Sequence, residues 1–218
     1  MEFSEFPVTL ILIALNVLVS FVGFSNPKLV DQTIMWPYRV KREKNQSYRF
    51  ISSGFLHADF MHLFFNMFTL FFFGQHVEKI FKYYELGGQF AYLALYMGGL
   101  IISDLPSYFK NQDDYGYRSL GASGAVSAVV FAAIIFNPWS SIYLYAAIKI
   151  SAMVYAILFI IYCIYMEKKG GDNINHNAHL WGALFGLAFT LVLIGWLAPS
   201  LFTGIIEELK HPSLLGRP

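Results

Sequence analysis

The chain is short of charge. Asp, Glu, Lys and Arg make up 13% of its 218 residues, about half the ~25% share of an ordinary soluble domain. With so much apolar content beside it, that shortage excludes a disordered chain. A net charge of +1 excludes the basic surface that nucleic-acid binding requires. Cysteine is scarcer still: Cys163 is the single one, so the chain can form no intramolecular disulfide and no zinc site built from cysteine pairs. Apolar residues take up the difference. They are 56% of the chain, about 122 side chains, which matches six membrane spans of ~20 residues each. This is the composition of a small polytopic membrane protein with the lipid bilayer as its first partner.

Charge is costly at the bilayer centre, so the gaps between charged side chains locate the spans. Uncharged stretches of 22, 18, 18, 30, 17 and 34 residues follow Glu5, Asp59, Glu85, Arg118, Lys149 and Asp172. The stretch after Arg118 is broken by the turn signal Asn137-Pro138-Trp139. The pattern predicts an all-α membrane protein of six transmembrane helices, at about 6–24, 58–76, 87–104, 121–137, 141–166 and 178–197. Residues 1–218 form one domain, with a core over about 48–197 and a short C-terminal tail, 198–218. Lys149 falls some eight residues into the fifth span and is read as snorkelling to the near interface. His76 and Glu78, at the end of the second, are read as interfacial. The connection 25–57 is too long to be featureless in a compact domain, so it is expected to carry structure. The first span lacks a basic leading segment and is kept as a helix rather than a signal peptide.

Six spans place the N-terminal ends of the second, fourth and sixth on one side of the bilayer. The polar residues that look out of place gather at those three ends: His57, His62 and Asn66; Gly121-Ala122-Ser123-Gly124; His176, Asn177 and His179. Polar groups inside a membrane bundle are functional candidates by default. Ser123 alone, among small residues, reads as helix packing, as do Gly121, Gly124 and the pair Gly182 and Gly186, because small residues let helices approach closely. The same closeness would bring Ser123 towards His179. A serine needs a base to become a nucleophile near neutral pH, and a neutral imidazole can take its proton. The sixth span offers no carboxylate to orient His179, which favours a Ser–His dyad over a triad. His62 and Asn66 are i, i+4 on one helical face and suit an oxyanion hole. The Ser123 backbone N–H, at a helix N-terminus, would add a further donor. No metal is expected: His57 and His62 are off a shared face, and no intramembrane carboxylate joins them.

Together these residues resemble the rhomboid family of intramembrane serine proteases. The resemblance covers about residues 48–190. It rests on His62-Leu63-Phe64-Phe65-Asn66, on Gly121-Ala122-Ser123-Gly124, and on Ala178-His179 followed by Gly182 and Gly186. It implies Ser123 as nucleophile, His179 as general base, and His62 and Asn66 with the Ser123 amide as oxyanion hole. It also implies no metal or cofactor, and as substrate a transmembrane or juxtamembrane segment of another membrane protein. Val77-Glu78-Lys79 fits the family, in which a glutamate closes the second helix. Tyr48-Arg49 stands where the family usually has Trp-Arg, in a first loop beside the active site. Ser127 stands where the family commonly has a tyrosine against the catalytic imidazole, which leaves open what packs on His179.

The resemblance implies a cytoplasmic N-terminus and a site opening outward, in the simplest case from a prokaryotic plasma membrane. The basic residues oppose that orientation. It puts Lys79, Lys82, Lys210 and Arg217 inside but ten Lys and Arg outside, six of them in the first loop, whereas the positive-inside rule prefers the reverse. Two other functions are conceivable. A non-catalytic rhomboid-like binder of transmembrane helices would be expected to lose the serine or histidine, and both are kept. A small transporter or channel would need embedded carboxylates or two-half symmetry, and the sequence offers neither.

Overall fold

The structure is a computed structural model that describes residues 5–144 and 148–217. Its first helix, α1 (Pro7–Ser25), opens with a proline at N1, where the missing N–H has no intrahelical acceptor to lose. The first loop then folds into three short helices, α2 (Pro27–Thr33), α3 (Pro37–Arg42) and α4 (Arg49–Ser52). Next comes a long helix over Phe60–Tyr83. It comprises α5 (Phe60–Thr69), a π-helical turn at Leu70–Gly74, and α6 (Gln75–Tyr83). After it come α7 (Gly88–Asn111), α8 (Ser123–Phe136), an antiparallel hairpin of β1 (Ser141–Leu144) and β2 (Ile148–Ser151), α9 (Ala152–Lys169), α10 (His176–Leu197) and α11 (Leu201–Leu209).

The order of helices is the expected one, with corrections at four places. The second and third spans run on past their expected ends, to Tyr83 and Asn111, so Asp104 lies inside α7 rather than bounding it. The fifth span does not begin at 141. Residues 141–151 form the hairpin, with Ser141 opposite Ser151 and Tyr143 opposite Lys149; positions 145–147 of that expected span lie outside the described residues. A gap free of charge does not distinguish strand from helix, and the β-branched alternation Ile148-Lys149-Ile150 favours the strand. Lys149 is therefore a ladder residue and not a snorkelling one. The tail is not featureless either. It forms α11 and returns to the hairpin, where the Arg217 amide donates to Trp139 O at 2.6 Å and the Ser151 amide to Leu214 O at 3.0 Å.

Three helices, α1, α7 and α10, are long and apolar enough to cross a membrane, and the bent pair 49–55 and 60–83, turning through 98°, makes a fourth candidate. Burial points the same way. The buried face of α1 carries Thr9, Asn16 and Ser20, each 0% exposed, while Ile11, Leu18 and Phe21 point outward at 57%, 63% and 54%. Water would reverse that arrangement; lipid permits it, provided the inner polar groups find partners. Asn16 Nδ2 donates to Leu12 O and Tyr96 Oη at 2.8 and 3.0 Å. Glu78, expected at the interface, is fully buried. Its carboxylate accepts from Val8 N, Thr9 N and Thr9 Oγ1 at 2.7–2.9 Å. The ring of Phe6 at the N-cap makes no capping hydrogen bond to α1, and a carboxylate from α6 caps the helix instead, where the helix dipole also favours it.

At the centre stands α8, buried from Gly124 through Ile135 and packed between α7 and α10. It fits because its contacts are backbone to backbone. A Cβ placed on Gly182 would strike the Gly124 carbonyl, and one on Gly186 would lie 2.6 Å from Ala128 Cα. On the other side, a Cβ on Gly99 of α7 would come within 2.9 Å of Ala125 Cα.

The first loop is fastened to the segment ahead of α8. Met35 and Ser119 exchange backbone hydrogen bonds at 3.0 and 3.1 Å, and Trp36 Nε1 donates to Tyr115 O. Lys41 and Arg42 both pair with Asp113 at 2.8 Å. Arg49, 1% exposed, donates to Asp31 O, Ile34 O and Gln46 Oε1. Arg49 thus anchors the loop, while Tyr48 contributes a bond from its hydroxyl to Gln32 O.

Two predictions follow from these contacts. Gly186→Ala is expected to destabilise the bundle by about 1–3 kcal/mol, as overpacking does, read as a lower thermal midpoint in detergent. Gly195→Ala, whose methyl would meet only Phe202 at 3.5 Å, is expected to leave the midpoint unchanged. Asp113 is held below the usual aspartate range by its hydrogen bonds to Lys41 and then Arg42. A depressed carboxylate pKa stabilises at neutral pH, and that contribution fades as pH falls through the folded-state value. Limited proteolysis in 38–48 should accelerate on acidification, and Asp113→Asn should show the faster rate already at pH 7.

Candidate active site

Ser123 is the first residue of α8. Its backbone N–H is one of the amides at a helix start that have no intrahelical acceptor. The approach to it is unusual. Gly121 has φ of 121°, a region that side chains rarely enter, and a Cβ there would sit 2.7 Å from His62 Cε1 and 2.9 Å from His62 Nε2. Glycine is therefore required twice, by the backbone and by the imidazole lying over it. The Gly121 amide is fixed by Ser53 O at 3.0 Å, which ties the serine's lead-in to the first loop.

His62 comes from the first turn of α5, which Asp59 caps by accepting from the His62 amide at 2.8 Å. Its Nδ1 faces the Ala58 amide at 3.5 Å, which favours the tautomer with the proton on Nε2, the nitrogen turned to Gly121. One Asn66 Nδ2 hydrogen is used on His62 O at 3.1 Å, leaving a second for another acceptor. Behind them His57 fills the bend between α4 and α5. Its ring meets His62 edge to face at 4.9 Å, and its Nδ1 pairs with Ser20 of α1 at 2.8 Å. Sequence reasoning placed His57 at this end; its part is to prop His62.

His179 lies one turn into α10. Asn175 caps that helix by accepting from the Ala178 amide, and Ser107 of α7 donates to the same Asn175 oxygen, both at 3.0 Å. The close pair Gly124 and Gly182 then fixes α10 against α8, with Ala178 O 3.4 Å from where a Gly124 Cβ would be. Ser123 and His179 thus flank one backbone contact, both partly buried at the same end of the bundle. Among the described residues no hydrogen bond joins them.

The imidazole is held from α9. Phe159 stacks on His179, with ring centroids 6.2 Å apart and an interplanar angle of 27°. Ser127 is buried in α8, so an aromatic on a different helix supports the ring. Nothing in an apolar helix sequence singles out Phe159, which is why sequence reasoning missed it. Beside His179, His176 makes an i, i+4 pair with Asp172, Nε2 to Oδ2 at 3.0 Å. That bond holds the Asp172 carboxyl below its usual range. The carboxylate therefore serves His176 and not His179.

Comparison with known proteins decides the lineage. Residues 44–196 match the family model described as the rhomboid domain, a stretch that contains His62, Asn66, Ser123 and His179. The chain belongs to the rhomboid family. It is 25% identical over 197 residues to the putative rhomboid protease YdcA of Bacillus subtilis (strain 168), covering 87% of this chain and 89% of that protein. It is 34% identical over 144 residues, 61% of its length, to RHOMBOID-like protein 12, mitochondrial, of Arabidopsis thaliana, and spans 42% of that relative. Against Presenilin-associated rhomboid-like protein A, mitochondrial, of Danio rerio, identity is 32% over 140 residues, 63% of this chain and 35% of that one. The rhomboid fold here is a mostly helical membrane protein.

The stack on His179 is directly testable. In histidine-labelled protein in micelles, Phe159→Ala is expected to broaden and shift the His179 ring signals while those of His62 stay in place. Equal changes at both rings would mean that the substitution acts on the bundle as a whole.

Proposed function

We propose that this rhomboid is an intramembrane serine endopeptidase that cleaves transmembrane or juxtamembrane segments of other membrane proteins. The observation that carries the reading is the Gly124–Gly182 contact, which seats Ser123 and His179 at one end of adjacent helices with His62 lying over Gly121. In this reading all six expected spans sit in the bilayer. The short α8, about 21 Å at 1.5 Å per residue, is wholly sheathed by protein, so the serine at its start lies below the outer surface.

Catalysis would proceed by acyl transfer. Ser123 Oγ attacks the scissile carbonyl as His179 takes its proton. The oxyanion that forms is stabilised by the Ser123 amide, by His62 Nε2–H and by the free Asn66 N–H. Collapse expels the amine, which leaves with the proton from His179, and water then attacks the acyl-enzyme with His179 again as base. A substrate helix hides its carbonyls in i→i−4 bonds, so the cleaved stretch must unwind at small or helix-breaking residues. Neither metal nor cofactor enters this scheme.

The family reading places the site on the outer face. The hairpin adds Lys149 to the inner side, and Arg49 is a buried anchor rather than a free charge; both narrow the imbalance of basic residues without reversing it. The relatives include mitochondrial and bacterial proteins, so the host is a prokaryotic plasma membrane or an organelle membrane. A non-catalytic helix binder is the second reading, favoured by the missing Ser123–His179 hydrogen bond.

Purified protein in liposomes with a fluorescent transmembrane substrate separates the two readings. Ser123→Ala and His179→Ala should each lower cleavage by about 10³-fold or more. His62→Ala and Asn66→Ala should each cost about 10²–10³ in kcat, all four keeping the wild-type melting profile. A wild type that cleaves no helix substrate and takes a fluorophosphonate label at no residue would put the binder reading ahead.

A further inference from the structure

Behind the candidate base lies a second cluster. Cys163 of α9 and His176 and His179 of α10 bring one ligand atom each, Sγ and two ring nitrogens, within 4.8 Å of one another. The thiol is fully buried and unpaired with any other cysteine. His176, with its side chain 3% exposed, is the most telling member. Its Nε2 is engaged by Asp172 at 3.0 Å, while its Nδ1 is buried with no hydrogen-bond partner. A carboxylate that fixes one ring nitrogen and leaves the other as a lone pair turned to further ligands is the arrangement that orients metal-binding histidines.

We propose that Cys163, His176 and His179 form an inhibitory site for a thiophilic transition metal ion, Zn²⁺ above all. One thiolate and two imidazoles suit a borderline-soft ion and not Mg²⁺ or Ca²⁺, which take oxygen ligands. The fourth tetrahedral position stays with water. Bonds of about 2.0–2.3 Å require the three atoms to draw together by roughly 1 Å, a change that side-chain rotation supplies. Binding exchanges the thiol proton for the metal: the S–H proton is released to solvent as the S–metal bond forms. A neutral imidazole has one lone-pair nitrogen, so an ion bound at either nitrogen of His179 leaves the proton on the other and removes the acceptor for the Ser123 proton. Access is from the open end, because Cys163 lies about 9 Å along α9 from Lys169 at 1.5 Å per residue, and 170–175 are the connection just outside. The inhibition rests on His179 being the base; the binding does not.

Two measurements on the whole chain in detergent keep these apart. In the first, Ser123→Ala protein is titrated with Co²⁺, with Zn²⁺ as competitor. The expected result is one ion per chain with a sulfur-to-cobalt charge-transfer band, absent in Cys163→Ser and at least tenfold weaker in affinity in His176→Gln and Asp172→Asn. No band in the folded protein, or a band that survives Cys163→Ser, overturns the site. In the second, Zn²⁺ should inhibit cleavage by the wild type, and Cys163→Ser should cleave at the basal rate while needing at least tenfold more Zn²⁺. Equal sensitivity of the two overturns the regulatory role. Should the wild type cleave nothing, the endopeptidase reading fails, and the cobalt titration still decides the metal site.

Discussion

The contact between the backbones of α8 and α10 is the constraint on which the rest depends. Gly182 lies against the Gly124 carbonyl and Gly186 against Ala128, so the two helices approach closer than any side chain would allow. Glycine inside a helix costs about 1 kcal/mol relative to alanine in water. In a bilayer, where lipid is as apolar as the helix, close van der Waals packing is a main source of helix association and offsets that cost. The consequence for chemistry is geometric. Ser123 precedes Gly124, and His179 follows Ala178, whose carbonyl faces Gly124, so their separation follows from this close backbone contact.

The two ends of the bundle are finished differently. At the Glu78 end the buried carboxylate accepts three hydrogen bonds from α1, and Thr9 Oγ1 also meets Tyr92 Oη at 3.0 Å, so the buried polar groups there satisfy one another. At the serine end, His57 Nε2, Ser119 Oγ, Asn175 Nδ2 and His176 Nδ1 are buried without protein partners. Such groups cost free energy unless water or a ligand meets them, and proteins keep them where function requires. These four lie at the end of the bundle that holds Ser123, where the proposed hydrolysis would need water. Two further unpartnered atoms, Asn16 Oδ1 and Thr190 Oγ1, lie away from that end, so among the described residues four of six gather at the serine end.

Much of this was legible in the residues. Charge gaps gave the order of the helices because the cost of burying a charge in lipid is large and local, and three polar clusters on alternate spans pointed to the candidate site by parity. What escaped notice shares a cause. The hairpin at Ser141–Ser151 was mistaken for helix because the absence of charge carries no period. Glu78 looked interfacial because its partners, Val8 and Thr9, are some seventy positions away in sequence. The support of His179 by Phe159 and the grouping of Cys163 with two histidines depend on the rotation of α9 about its own axis. An apolar helix in lipid can present any face inward, so its sequence does not encode that rotation.

That unencoded rotation has a chemical consequence. α9 packs against α10 and, less extensively, against α8, and it is Phe159 on α9 that stacks on the proposed base. Had the residue four after the serine been aromatic, base and nucleophile would both be held by α8, the most buried helix. With Ser127 there, the orientation of His179 relies on a helix at the margin of the core, and Cys163, one turn further along the same helix, comes within 4.8 Å of a ring nitrogen of each histidine. A displacement of α9 would therefore move the ring stack and the thiol together. The support of the proposed base and the proposed metal site thus share one helix, α9.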